Sequence, residues 1–133
     1  MFIKKETEYA ILGLIALAKD QQNYHDVKTV AKNHGISPTL LAKIFQKLTK
    51  SSILVSKLGP SGGSKLALLP KEVTLLNIIQ STQGTDIIKC YSGKSPYCPE
   101  SNCPLKKTLQ KVESDLHNSF KNITLSQLIK EEI

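Results

Sequence analysis

Ser37-Pro38-Thr39-Leu40-Leu41-Ala42-Lys43-Ile44-Phe45-Gln46-Lys47-Leu48-Thr49-Lys50 runs into Ser51 to Lys57, then Leu58-Gly59-Pro60-Ser61-Gly62-Gly63, then Ser64 to Leu69. Ser37 is suited to an N-cap, and Pro38 suits the first helical turn, where its missing N–H has no partner to lose. Leu40, Leu41, Ile44, Phe45 and Leu48 recur at helical spacing on one face, with Thr39, Lys43, Gln46, Lys47 and Lys50 on the other. Beyond this helix, Ile53, Val55 and Lys57, and then Lys65 to Leu69, have strand character. The glycines and proline between them allow a sharp reversal. Upstream, Asp26 to His34 reads as a short helix with Val27, Val30 and Ala31 inward, ended by Gly35. Two short helices followed by a hairpin predict a winged helix-turn-helix. A plain helical hairpin with a tight turn is the alternative, and the charge distribution argues against it.

The chain has 133 residues, is 40% hydrophobic and carries a net charge of +7 with a pI near 9.3. That length suits one compact domain, or a small domain with an oligomerisation segment. Residues 1–70 hold ten Lys against four acids, whereas residues 71–133 hold eight Lys against seven acids. The winged half is therefore the basic half, as expected of a phosphate-binding module joined to a near-neutral assembly module. There is no arginine, so any base discrimination falls to Thr39, Lys43, Gln46, wing backbone groups and DNA shape. No apolar run approaches 18 residues and no export signal is visible, so a cytoplasmic protein with no membrane partner is expected.

Ahead of the two short helices, Glu6 to Lys19 predicts a first helix with Ala10, Ile11, Leu14, Ile15, Leu17 and Ala18 inward. It is expected to pack beneath the helix-turn-helix. After the wing, Thr74 caps a helix running to about Gln83, and Gly84 stops it. From Pro104 to Asn122 a stripe of Leu105, Leu109, Val112, Leu116 and Phe120 approximates a heptad seam, which suits a two-fold dimer contact. Thr124 caps a last helix, Leu125 to Glu131. The expected fold is mainly α with a small β-hairpin. Residues 1–84 form the winged helix-turn-helix domain, 85–103 a cysteine-containing loop, and 104–133 a long dimerisation helix with a C-terminal helix.

Every cysteine lies in that loop: Cys90, Cys98 and Cys103, among Gly93, Pro96, Pro99 and Pro104. An odd number in a non-secreted chain argues against a disulfide framework. Thiolates are preferred ligands of iron–sulfur clusters and of zinc, and the positive end of the helix opening at Pro104 favours the Cys103 thiolate. Spacing alone leaves an iron–sulfur cluster, zinc, a thiol redox switch and no role all open.

A basic winged helix with a Gly-x-x-Gly-Gly wing, three loop cysteines, a long helix and a closing Asn-Ile-Thr-Leu-Ser-Gln-Leu-Ile segment resembles the bacterial regulators of the IscR and NsrR type. The resemblance spans nearly the whole chain. It implies a homodimeric winged-helix repressor on double-stranded operator DNA, whose affinity changes when a 2Fe–2S or 4Fe–4S cluster is lost or modified by nitric oxide, redox stress or iron–sulfur status. No catalysis is implied. Cys90, Cys98 and Cys103 match the cluster ligands. Pro38, Thr39, Leu40 and Lys43 match the exposed start of the recognition helix, and Gly59, Gly62 and Gly63 match the wing. With neighbouring polar positions, the expected DNA surface is Lys28, Ser37, Pro38, Thr39, Leu40, Lys43, Lys47, Ser61, Gly62 and Gly63.

Two departures stand out. Leu58 occupies the place of a usual wing arginine, and Lys106 stands where IscR-like members have a histidine three residues after the third cysteine. A protonated lysine is a poor iron ligand. Glu8 matches a first-helix aspartate through which NsrR-like members reach the partner's cluster, so Glu8 of the partner subunit is the candidate fourth ligand. As a residue of a first helical turn, Glu8 equally suits a plain solvated site. The competing functions are a cluster-free thiol-switch or zinc-containing regulator and a small electron-transfer protein.

Overall fold

Leu41, Ile44, Phe45 and Leu48 project from one side of a helix, Pro38–Lys50, and are buried there. Ser37 caps it, its Oγ accepting from the Leu40 amide at 3.4 Å. Leu40 departs from the expected inward face. It stands 100° around the helix from Leu41 and is 38% exposed, so it lies on the outer surface. In the computed structural model, which describes residues 3–84 and 104–131, this helix is α3. The other elements are α1 (Lys5–Ala18), α2 (Val27–Asn33), β1 (Leu54–Lys57), β2 (Gly63–Leu66), a 3-10 turn (Pro70–Glu72), α4 (Leu75–Thr82), α5 (Pro104–Lys121) and α6 (Leu125–Glu131).

The broad apolar side of α1 packs on α3 and α4, with Ala10, Leu14 and Leu17 fully buried. Gly13 lets the Phe45 ring lie against the α1 backbone: a Cβ there would fall 2.7 Å from Cε1 of Phe45. Each fully buried Leu or Ile of this cluster contributes about 1.5–3 kcal/mol relative to an exposed side chain.

The strands β1 and β2 form an antiparallel hairpin in the register Leu54↔Leu66, Val55↔Lys65, Ser56↔Ser64 and Lys57↔Gly63. The second strand begins two residues earlier than the sequence suggests and ends at Leu66. Gly63 and Ser64 enter the ladder, while Leu69 turns off into Pro70. Leu54 and Leu66 cover the helical core from this side.

The termini of α4 and α6 meet. Thr74 and Asn77 cap one another at 3.1 Å, as Thr124 and Gln127 do at 3.1 and 3.3 Å. Between these caps the Leu75 amide donates to the Ile123 carbonyl and the Leu125 amide to the Val73 carbonyl, both at 2.8 Å. Leu125 is fully buried in the same core as α1 and α3. The C-terminal helix therefore packs into the winged-helix core. Leu125→Ala should lower unfolding stability by about 2–5 kcal/mol in urea titration. A loss near zero would contradict this docking.

The long helix α5 is built differently. Among its described residues the only buried one is Glu113, whose carboxylate lies 4.0 Å from His117 Nε2. The stripe is open instead: Leu105 is 55% and Val112 40% exposed, with Leu109, Leu116 and Phe120 half-buried. Among the described residues no helix is long and apolar enough to cross a membrane.

Candidate nucleic-acid interface

The outer side of α3 meets the start of α2 in a groove of about 530 Å³ lined by Asp26, Val27, Lys28, Pro38, Thr39, Ala42, Lys43 and Gln46. Lys28, Pro38, Thr39, Lys43 and Gln46 are exposed. Between Asp26 and Glu72 the chain contains no acid, so the charged side chains of α3 and the wing are all cationic. Lys28, Pro38, Thr39 and Lys43 line this one groove, with Ser37 and Leu40 exposed at the same helix end.

Lys47 is engaged differently. Its ammonium bonds Glu6 Oε1 at 2.5 Å and reaches the Thr82 carbonyl at 3.4 Å, tying α3 to α1 and to the end of α4. That pairing joins residues 41 apart in sequence, which helical periodicity does not register.

In the wing, Ser61 is exposed, while Gly62 and Gly63 are held by backbone. A Cβ on Gly62 would lie 2.1 Å from the Lys57 carbonyl oxygen, and one on Gly63 would lie 2.2 Å from the His25 carbonyl oxygen. Gly63 also has φ +139, a conformation that side-chain-bearing residues rarely adopt. The close approach has a purpose: the His25 amide donates to the Ser64 carbonyl at 2.8 Å, and the Ser64 amide donates back at 2.9 Å. The α1–α2 connector is thereby joined to β2 by a single antiparallel bridge at His25. Asp20 supports this connector. It accepts from Asn23 Nδ2 at 2.9 Å, a bond that holds its carboxyl below the usual range, and its backbone carbonyl lies 2.8 Å from His25 Nε2.

Cys90, Cys98 and Cys103 lie outside the described residues, but the chain leading to them is anchored at a defined place. Gln83 Oε1 accepts from the Lys4 amide at 2.9 Å and from Thr7 Oγ1 at 2.7 Å. The Thr7 and Thr82 hydroxyls are 2.6 Å apart, and both residues are buried. The end of α4 is thus bonded to the first turn of α1, one turn that also contains Glu6 and Glu8. Glu8 pairs with Lys5 at 3.2 Å, and the hydrogen bond to Glu8 raises the Lys5 pKa. Lys106, in the first turn of α5, offers no replacement for a histidine ligand. Among the described residues no group of three or more His, Cys, Asp or Glu side chains is placed to hold a metal, and thiolates are the donor type that suits an iron–sulfur cluster or zinc.

A family model described as an iron-dependent transcriptional regulator, Rrf2, matches residues 3–131. The chain is 30% identical over 135 residues to the HTH-type transcriptional regulator NsrR of Oceanobacillus iheyensis, covering 99% of this chain and 92% of that one. It is 26% identical over 133 residues to the HTH-type transcriptional regulator IscR of Vibrio campbellii, covering 98% and 79%. Among solved structures, CymR, the global cysteine regulator of B. subtilis, superposes with a TM-score of 0.81 at 21% identity over 98% of each chain. IscR of T. potens gives 0.79 at 21% identity, over 98% of this chain and 88% of that one. These two share the fold. With the family model spanning nearly its whole length, the chain belongs to the Rrf2 family of winged-helix transcriptional regulators and is not an enzyme.

Proposed function

We propose that the chain is a homodimeric repressor that reads operator DNA with α3 and the wing, and whose affinity responds to an iron–sulfur cluster on Cys90, Cys98 and Cys103. The carrying observation is the root of the cysteine segment. Gln83 and Thr82 bond to the first turn of α1, and Lys47 of α3 bonds to both Glu6 and the Thr82 carbonyl. Sensor root and recognition helix therefore share one hydrogen-bonded junction.

The three thiolates would hold a 2Fe–2S or 4Fe–4S cluster, with Glu8 of the partner subunit as fourth ligand. Such a cluster supplies iron that nitric oxide or oxygen can attack, and a carboxylate-bound iron is its most exchangeable site. The protein's part is mechanical. Glu8 would hold the cluster of the partner subunit, and without it Glu8 pairs with Lys5 on α1; the end of α4 is bonded through Thr82 to Thr7 of α1 and to Lys47 of α3. Two states of this junction bias the spacing of the paired recognition helices.

The open stripe on α5 supports the dimer, because Leu105 and Val112 stand exposed on one helix face that a second copy of the chain would cover. A cluster-free thiol or zinc regulator is the second reading, favoured by Lys106 in place of a histidine.

Anaerobic purification of single Cys→Ala variants tests the proposal. Each should lose the cluster and the response to effector. Glu8→Ala should retain a cluster of altered stability or effector reactivity. A cluster whose spectrum, lifetime and effector response are all indifferent to Glu8→Ala would place the fourth ligand elsewhere. Effector-responsive DNA binding that survives all three cysteine changes would remove the sensing proposal.

A further inference from the structure

Tyr24 immediately precedes the His25↔Ser64 bridge, and antiparallel pairing carried back one step sets it across from Lys65. Strand side chains alternate, so Val55, Lys57 and Lys65 occupy the wing face turned away from Leu54 and Leu66. Lys57 pairs with Gly63, which puts no side chain between Lys57 and the tyrosine. Both lysines accordingly converge on one ring: Lys65 Nζ lies 4.7 Å and Lys57 Nζ 5.8 Å from the Tyr24 centroid. Among the described residues neither ammonium has a carboxylate within ion-pair distance. The ring quadrupole attracts each cation, yet the two cations repel one another. An anion placed between them removes that repulsion. The wing tip, by contrast, carries no charge, since Leu58 stands there 96% exposed.

We propose that Tyr24, Lys57 and Lys65 form a phosphate clamp that grips the DNA backbone beside the wing, with Tyr24 as the positioning residue. The proposal rests on the reading of the chain as a DNA-binding regulator. The wing binds DNA through its face, and its charge is organised by a residue of the α1–α2 connector. Loss of the ring leaves the charges in place but lets two flexible side chains disperse.

The test is fluorescence anisotropy of a labelled random-sequence duplex, titrated at several potassium chloride concentrations. Lys57→Gln and Lys65→Gln should each reduce the log–log salt slope by about 0.9. Tyr24→Leu should weaken binding roughly two- to five-fold with a reduced slope, and Tyr24→Phe should restore both, because the ring face is what the lysines use. A purely structural tyrosine would shift the melting temperature and leave the slope alone. Should Tyr24→Leu fail to fold, the two lysine variants, one exposed and one half-buried, decide. A double Lys57→Gln, Lys65→Gln protein with the wild-type slope overturns the clamp. If Lys43→Ala still weakens binding in that case, the DNA-binding reading stands without it, whereas a wild-type protein that binds no duplex overturns both.

Discussion

Leu116→Glu should convert the protein to monomers in sedimentation at micromolar concentration and weaken operator binding by roughly 10²-fold or more, the loss expected when two linked half-site contacts become one. The effect is large because the stripe Leu105, Leu109, Val112, Leu116 and Phe120 is the one apolar face that α5 leaves open, with Leu116 at its middle. A carboxylate there would be buried unpaired against its two-fold mate. Within a single chain Leu116 is only half-buried, so the circular dichroism and the monomer's own stability should change little. In the proposed dimer, recognition helices about 34 Å apart would enter successive turns of one groove, a spacing that separate monomers do not hold. A wild-type protein that sediments as a monomer, or a Leu116→Glu dimer with unchanged affinity, would contradict this.

Gly63→Val should detach the wing. The new side chain meets the His25 carbonyl oxygen at 2.2 Å and its carbon at 2.5 Å, at a φ of +139 that a β-branched residue does not tolerate. Backbone strain and the loss of both His25–Ser64 hydrogen bonds together cost about 2–5 kcal/mol locally. Ser64 amide exchange should accelerate, and DNA affinity should fall by roughly tenfold or more, given tenfold for each 1.4 kcal/mol. Gln110→Ala, at an exposed position of α5, is the control that should change little. A Gly63→Val protein with a protected Ser64 amide and full affinity would mean that the wing neither depends on this approach nor serves binding.

The parts of the fold legible in the sequence are those encoded locally. Ser37-Pro38 and the Leu41, Ile44, Phe45 and Leu48 spacing announce α3, and the glycine-rich turn between strand-forming runs announces the wing. What the sequence hides is set by partners far along the chain. Gly13 reads as a helix defect until Phe45 is seen against it. Lys47 reads as one more exposed cation until Glu6 and Thr82 claim it. Leu125 reads as part of a short terminal helix until it fills the core beside α1. Tyr24 and His25 carry no strand periodicity of their own, because a single bridge with Ser64 defines their role. The cysteines are the opposite case: their chemistry is legible from residue type, while their arrangement lies outside the described residues.

Protein purified without oxygen, measured for visible absorption and for iron and acid-labile sulfide, tests the central claim most directly. The account predicts sulfur-to-iron charge-transfer bands with iron and sulfide in equal amounts, lost on Cys90→Ala, Cys98→Ala or Cys103→Ala. Colourless protein that holds zinc or no metal, and still binds operator DNA in a thiol-dependent manner, would contradict it.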